Sequence, residues 1–198
     1  MDSKGFTLVE LMVVLALIGI IYALASPMGT LFQNDSAASY MNDFVASTRL
    51  ARSHAITSNA PVTVCPMAAA TQQIAEPECS GATNWEAGWV IFADSNGDGS
   101  ITNGTAGDTS DDDTILRFYT ALPNNFTLRT TRTRITFQST GMAIGFNGTW
   151  TLCDPSRSLQ IARGAIIPIT GRTHLAVDSD NDRIRESDGT PLECPAPA

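Results

Sequence analysis

Residues 6–25, FTLVELMVVLALIGIIYALA, are twenty consecutive positions with a single charged side chain, Glu10. As a helix this run would extend about 30 Å, the thickness of a bilayer core. It therefore reads as a transmembrane or assembly helix over residues 6–26. A secretory signal peptide is the competing reading, and Ala23-Leu24-Ala25 would supply its small-residue cleavage site. Glu10 argues against that reading. A carboxylate costs about 2.5–3.5 kcal/mol at the centre of a spanning helix, less near its end, and so expensive a residue suggests a use. Pro27 then removes a backbone donor and disfavours helical geometry at Ser26, which predicts a kink or local break there.

Residues 27–58 continue as an amphipathic helix. Met41, Phe44, Val45, Thr48, Ala51 and Ala55 recur at three- and four-residue steps, while Asp43, Arg49 and Arg52 fall off that stripe. Beyond Asn59 the period changes. Short β-type runs occur at 62–65, 89–93, 115–119, 126–129, 135–138, 143–146, 149–153, 159–162, 166–169 and 173–177, divided by Gly, Asn, Asp and Pro clusters. Such punctuation predicts antiparallel sheets in a β-rich domain over 59–198, a small sandwich against the helix. The fold class is thus α+β. Residues 95–113 are rich in Gly, Asp, Thr and Ser and read as a long exposed loop.

The whole chain has 198 residues, with 12 Lys+Arg against 20 Asp+Glu and a net charge of −8, which argues against nucleic-acid binding driven by overall charge. Its four cysteines include no C-x-x-C, and an even count of this kind points to two disulfides and an oxidising compartment. Local pairing would join Cys65 to Cys79 and Cys153 to Cys194, although three connectivities remain open.

Gly5-Phe6-Thr7-Leu8-Val9-Glu10, behind a short leader with Lys4, resembles the class III signal of type IV pilins and type II secretion pseudopilins. The resemblance implies that a prepilin peptidase removes residues 1–5 by cutting between Gly5 and Phe6, then methylates the new amine of Phe6. It further implies a single-pass inner-membrane protein with a periplasmic body that later joins a pilus, with other minor and major pilins as partners. A Glu10 carboxylate suits that setting, because an opposite charge favours the charged amine of a neighbouring Phe6 where desolvation alone would not. Three further stretches resemble the GspH/FimT family of minor pilins and pseudopilins: residues 49–56 with 61–65, residues 88–99, and 170–194. That family implies a long N-terminal helix packed on a sandwich-like β domain, and a minor type IV pilin that initiates pilus assembly near the tip. A type II secretion pseudopilin and a DNA-binding pilin for natural transformation are the alternatives.

Several candidate ligand sites accompany this reading. Asp94, Asn96 and Asp98 precede Gly99 in the first half of a calcium-type loop, but Thr105 stands where the bidentate Glu would be. Asp178, Asp180 and Asp182, with Glu186, form a second spaced cluster, and Arg183 occupies its turn-glycine position. Solvated turn residues are the plain reading of both, so no cofactor is expected and calcium is the alternative. Some members of the family resemble DNA receptors with a G-R-x-R motif; here Gly171-Arg172-Thr173-His174 retains only Arg172. Arg129, Arg132 and Arg134 make a separate basic run. The two histidines, His54 and His174, are far apart in sequence without a nucleophile setting, and no zinc spacing or phosphate-cradling loop is present, so an enzyme is not expected.

Overall fold

A computed structural model describes residues 7–25, 28–68, 77–101, 113–123 and 125–194, with the side chains of 23–25 and 28–34 left aside. Gly5, Phe6 and Pro27 lie outside the described residues. Two helices open the chain, α1 at Leu8–Ala25 and α2 at Met28–Ser58. The contacts divide it into two units, residues 1–36 and residues 37–198. Among the described residues no helix is long and apolar enough to cross a membrane. Helix α1 has 18 residues and extends about 27 Å at 1.5 Å per residue.

Among the described residues, the second unit takes in the rest of α2 from Ala37 and ten strands. These are β1 (Val62–Pro66), β2 (Trp89–Ala93), β3 (Thr114–Tyr119), β4 (Thr127–Arg129), β5 (Ile135–Phe137), β6 (Gly148–Cys153), β7 (Arg163–Ile167), β8 (His174–Leu175), β9 (Glu186–Ser187) and β10 (Thr190–Pro191). They form two four-stranded sheets, ordered β3-β2-β1-β5 and β4-β6-β7-β8, and a β9–β10 hairpin. Every pairing is antiparallel.

One face of α2 joins both sheets. Met41, Phe44, Val45, Thr48, Ala51 and Ala55 are buried along it. Phe44 is the hub: its ring lies 5.8 Å from Trp85, 5.4 Å from Trp89 on β2 and 5.9 Å from Trp150 on β6. Two indole donors are satisfied locally, Trp89 Nε1 by Ser47 Oγ at 2.9 Å and Trp85 Nε1 by the Arg132 carbonyl at 3.0 Å. Strand β2 is buried on both faces, which explains its unbroken apolar sequence. Trp89 and Ile91 enter the main core, whereas Val90 and Phe92 pack with Cys65 and Met67 in a second cluster.

Three expected strands need correction. Residues 143–146 and 159–162 are turns. Phe146 N–H bonds the Ala143 carbonyl at 3.1 Å. Asp154 accepts from the Ser156 and Ser158 N–H groups, winding the chain before it can extend. The Ser158 carbonyl then accepts from Ile161 and Ala162. The run expected at 166–169 is displaced to β7, where Ala165 and Gly164 sit opposite Trp150 and Thr151. Gly164 has no side chain and Ala165 only a methyl, a requirement that apolar periodicity could not register; a Cβ on Gly164 would lie 2.9 Å from Ala176 Cβ. The β9–β10 hairpin was not expected either. Its signal is Asp188-Gly189, with φ +52° and +75°, a pair suited to a two-residue hairpin turn.

Both disulfides follow the local pairing. Cys65–Cys79 and Cys153–Cys194 have Cα separations of 5.5 and 5.8 Å, and close loops of sequence separation 14 and 41. In the chain-entropy account they contribute about 3 and about 4 kcal/mol.

Candidate assembly and ligand surfaces

Helix α1 begins at a cap. Thr7 Oγ1 accepts the Glu10 N–H at 3.3 Å, so Thr7-Leu8-Val9-Glu10 has the spacing of a capping box. This role of Thr7 was not anticipated, although the T-x-x-E pattern announces it. Every described side chain from Thr7 to Tyr22 is exposed, including Leu8, Val9, Leu11, Met12 and Leu15. So large an apolar surface requires cover from outside the chain. Glu10 is itself exposed on this stem, one turn from the helix start.

Arg172 stands on the second unit, at the mouth of a cleft of 370 Å³ that Arg49 and Arg52 of α2 also line. The neighbouring backbone has little freedom. Gly171 has φ +72°, and a Cβ there would sit 2.1 Å from the Gly141 carbonyl oxygen. Arg52 Nε donates to that same carbonyl at 3.0 Å, and Thr48 Oγ1 donates to Thr173 Oγ1 at 2.9 Å. Three arginines thus line one cleft, although only Arg172 belongs to the recognisable Gly-Arg pair. The other basic run is dispersed in structural contacts. Arg129 pairs with Glu86 at 2.6 Å, Arg132 Nε donates to the Asn147 carbonyl at 2.8 Å, and Arg134 lies 5.5 Å over the Phe146 ring. His54 is on α2, whereas His174 is exposed on β8.

The two acidic loops differ. In the first, Asp94 is fully buried and its Oδ2 accepts from Thr63 Oγ1 at 2.7 Å and Gly99 N–H at 3.1 Å. Asn96 and Asp98 bond one another and cap local N–H groups. Asp113, also mostly buried, accepts the Ser95 N–H at 2.8 Å. Burial raises the Asp94 pKa above 3.8, opposed by the Thr63 hydrogen bond and reinforced by Asp113. Between the unfolded and the folded pKa, the folded chain therefore holds a proton there that the unfolded chain releases. The resulting stability is present below about pH 3.8 and is lost as pH rises through the folded pKa. An Asp94→Asn variant should accordingly gain stability relative to the parent as pH rises above about 3.8. A melting-temperature difference that stays constant over that rise would exclude this assignment. In the second loop, Asp178, Asp180 and Asp182 come together with Glu186 of β9.

A family model described as type II transport protein GspH matches residues 41–165, and a prokaryotic N-terminal methylation motif matches residues 1–26. The first match covers more than half of the chain. The chain belongs to the GspH/FimT family of minor pilins and pseudopilins. It shares its fold with the type IV minor pilin FimU of Pseudomonas aeruginosa strain PAO1. A FimU crystal structure in space group P21 aligns at TM-score 0.50 and 17% identity, covering 85% of this chain and 99% of that one. A second, in space group P65, aligns at TM-score 0.46 and 17% identity, covering 71% and 90%. No curated protein sequence matches the chain. For a GspH/FimT member, the described surfaces divide into an apolar stem with its carboxylate and a body carrying a cationic cleft and an acidic loop.

Proposed function

We propose that this protein is a minor type IV pilin that helps initiate pilus assembly and resides near the pilus tip. The observation that carries the reading is the stem: α1 exposes every described side chain on an apolar helix, so its function must lie in being covered. The full apolar run of residues 6–25 matches an inner membrane before assembly and a helix bundle afterwards. Prepilin peptidase would cut between Gly5 and Phe6, leaving a methylated Phe6 amine. Glu10 would neutralise that amine on a neighbouring subunit and set axial register, a specificity role more than a stabilising one. The body, held rigid by two disulfides, would present its lateral surfaces to other minor and major pilins.

Mass spectrometry of the assembled protein should find a chain beginning at methylated Phe6, and deletion of its gene should reduce surface piliation. A mature start near residue 26, or unchanged piliation and retraction in the deletion strain, would overturn the proposal. The family description favours a second reading, a minor pseudopilin of type II secretion. Pilus genes or secretion genes in the neighbourhood separate the two. Support for a DNA-binding pilin is confined to the cleft of Arg49, Arg52 and Arg172, against a net charge of −8.

A further inference from the structure

We propose that Asp178, Asp180, Asp182 and Glu186 form a calcium site that ties the loop after β8 to the β9–β10 hairpin. One carboxylate oxygen from each of the four residues lies within 4.8 Å of all the others. Backbone N–H groups organise three of them. Asp178 accepts from Asn181 at 2.7 Å and from Arg183 at 3.0 Å, Asp180 from Asp182 at 3.1 Å, and Asp182 from Ile184 at 2.7 Å. Arg183 replaces the expected turn glycine yet adopts the left-handed φ of +73°. Arg183 thus takes the left-handed conformation that a turn glycine would supply.

Glu186 distinguishes this loop from an ordinary acidic turn. It is only 8% exposed, and its Oε2 accepts from Ser179 N–H at 2.7 Å and Ser179 Oγ at 2.8 Å. Its Oε1 is buried with no hydrogen-bond partner. A carboxylate oxygen removed from water without a donor carries a desolvation cost that a cation would offset. Among the described residues, none of the four carboxylates pairs with an arginine. Arg185 Nη1 instead donates to the Gln160 and Ala162 carbonyls, at 3.3 and 3.2 Å. Crowded anionic oxygens on a loop, two of whose aspartates are exposed, suit calcium, which accepts six to eight oxygens in flexible geometry; magnesium requires a near-ideal octahedron. Water and backbone carbonyls would complete the shell. The site does not depend on the pilus role.

Calcium titration of the full chain in detergent micelles tests this, by calorimetry and by melting temperature. One Ca²⁺ per chain should bind, with a rise in melting temperature that an equal concentration of Mg²⁺ does not reproduce. Asp180→Asn and Asp182→Asn keep an oxygen acceptor for the backbone N–H groups and should each weaken binding at least about tenfold. Glu186→Gln should do the same; if it fails to fold, the two exposed positions carry the test. Asp98→Asn, in the other acidic loop, should leave binding unchanged. No response to millimolar Ca²⁺, an equal response to Mg²⁺, or sensitivity to Asp98→Asn instead of Asp180→Asn would overturn the site.

Discussion

A chain carrying Glu10→Ala should fold and reach the membrane, yet be recovered in sheared surface pili about 10²–10⁴-fold less than the parent. The body should be untouched, because Glu10 belongs to the first unit and is exposed on α1. The helix start should persist as well. Its cap uses the backbone N–H of residue 10 and the hydroxyl of Thr7, both of which the substitution leaves in place. On the proposed pilin reading, what would be lost is the countercharge for the processed Phe6 amine of a neighbouring subunit. Removing one partner of a buried ion pair costs about 3–5 kcal/mol, because the other charge is left uncompensated. At about 1.4 kcal/mol per factor of ten, that range gives the stated loss. Immunoblots of sheared and membrane fractions measure it directly. Equal recovery of parent and variant in the sheared fraction would show that Glu10 has no part in docking.

Phe44→Ala should destabilise the body by about 3–5 kcal/mol, a large share of the roughly 5–15 kcal/mol that holds a domain of this size together. The ring is fully buried and touches three tryptophans that come from different parts of the chain. Its removal leaves a cavity that rigid indoles cannot collapse to fill. Denaturant melts followed by tryptophan emission should show an earlier midpoint and a red-shifted native spectrum. The matched control is Phe118→Ala on edge strand β3. That side chain is 56% exposed, so its loss should change stability by less than about 0.5 kcal/mol. A Phe44 effect as small as the control would remove it from the centre of the core.

The stripe at Met41, Phe44, Val45, Thr48, Ala51 and Ala55 was legible because a helix repeats its buried face every three or four residues. Strand β2 was equally plain as an apolar run of five. The turns at 143–146 and 159–162 were misread for a common reason. Apolar residues there resemble strands, but Gly145 at φ +82° and the capping carboxylate of Asp154 govern the backbone. For the candidate sites, the family's Gly-Arg motif pointed to Arg172, and spacing identified all four loop acids. It left Arg49 and Arg52 as solvated positions on a helix and gave Glu186 no burial.

The sequence by itself determined the apolar stem, the lone carboxylate within it, the change from helical to strand period after Asn59, and the α+β class. Each is a local pattern, readable from side-chain chemistry over a few neighbouring positions. Tertiary structure decided which strands pair, which cysteines join, that Arg172 meets Arg49 and Arg52, and that Glu186 is buried beside the aspartates. These outcomes rest on contacts such as Thr48 with Thr173, 125 residues apart, where packing of the whole body selects the partner.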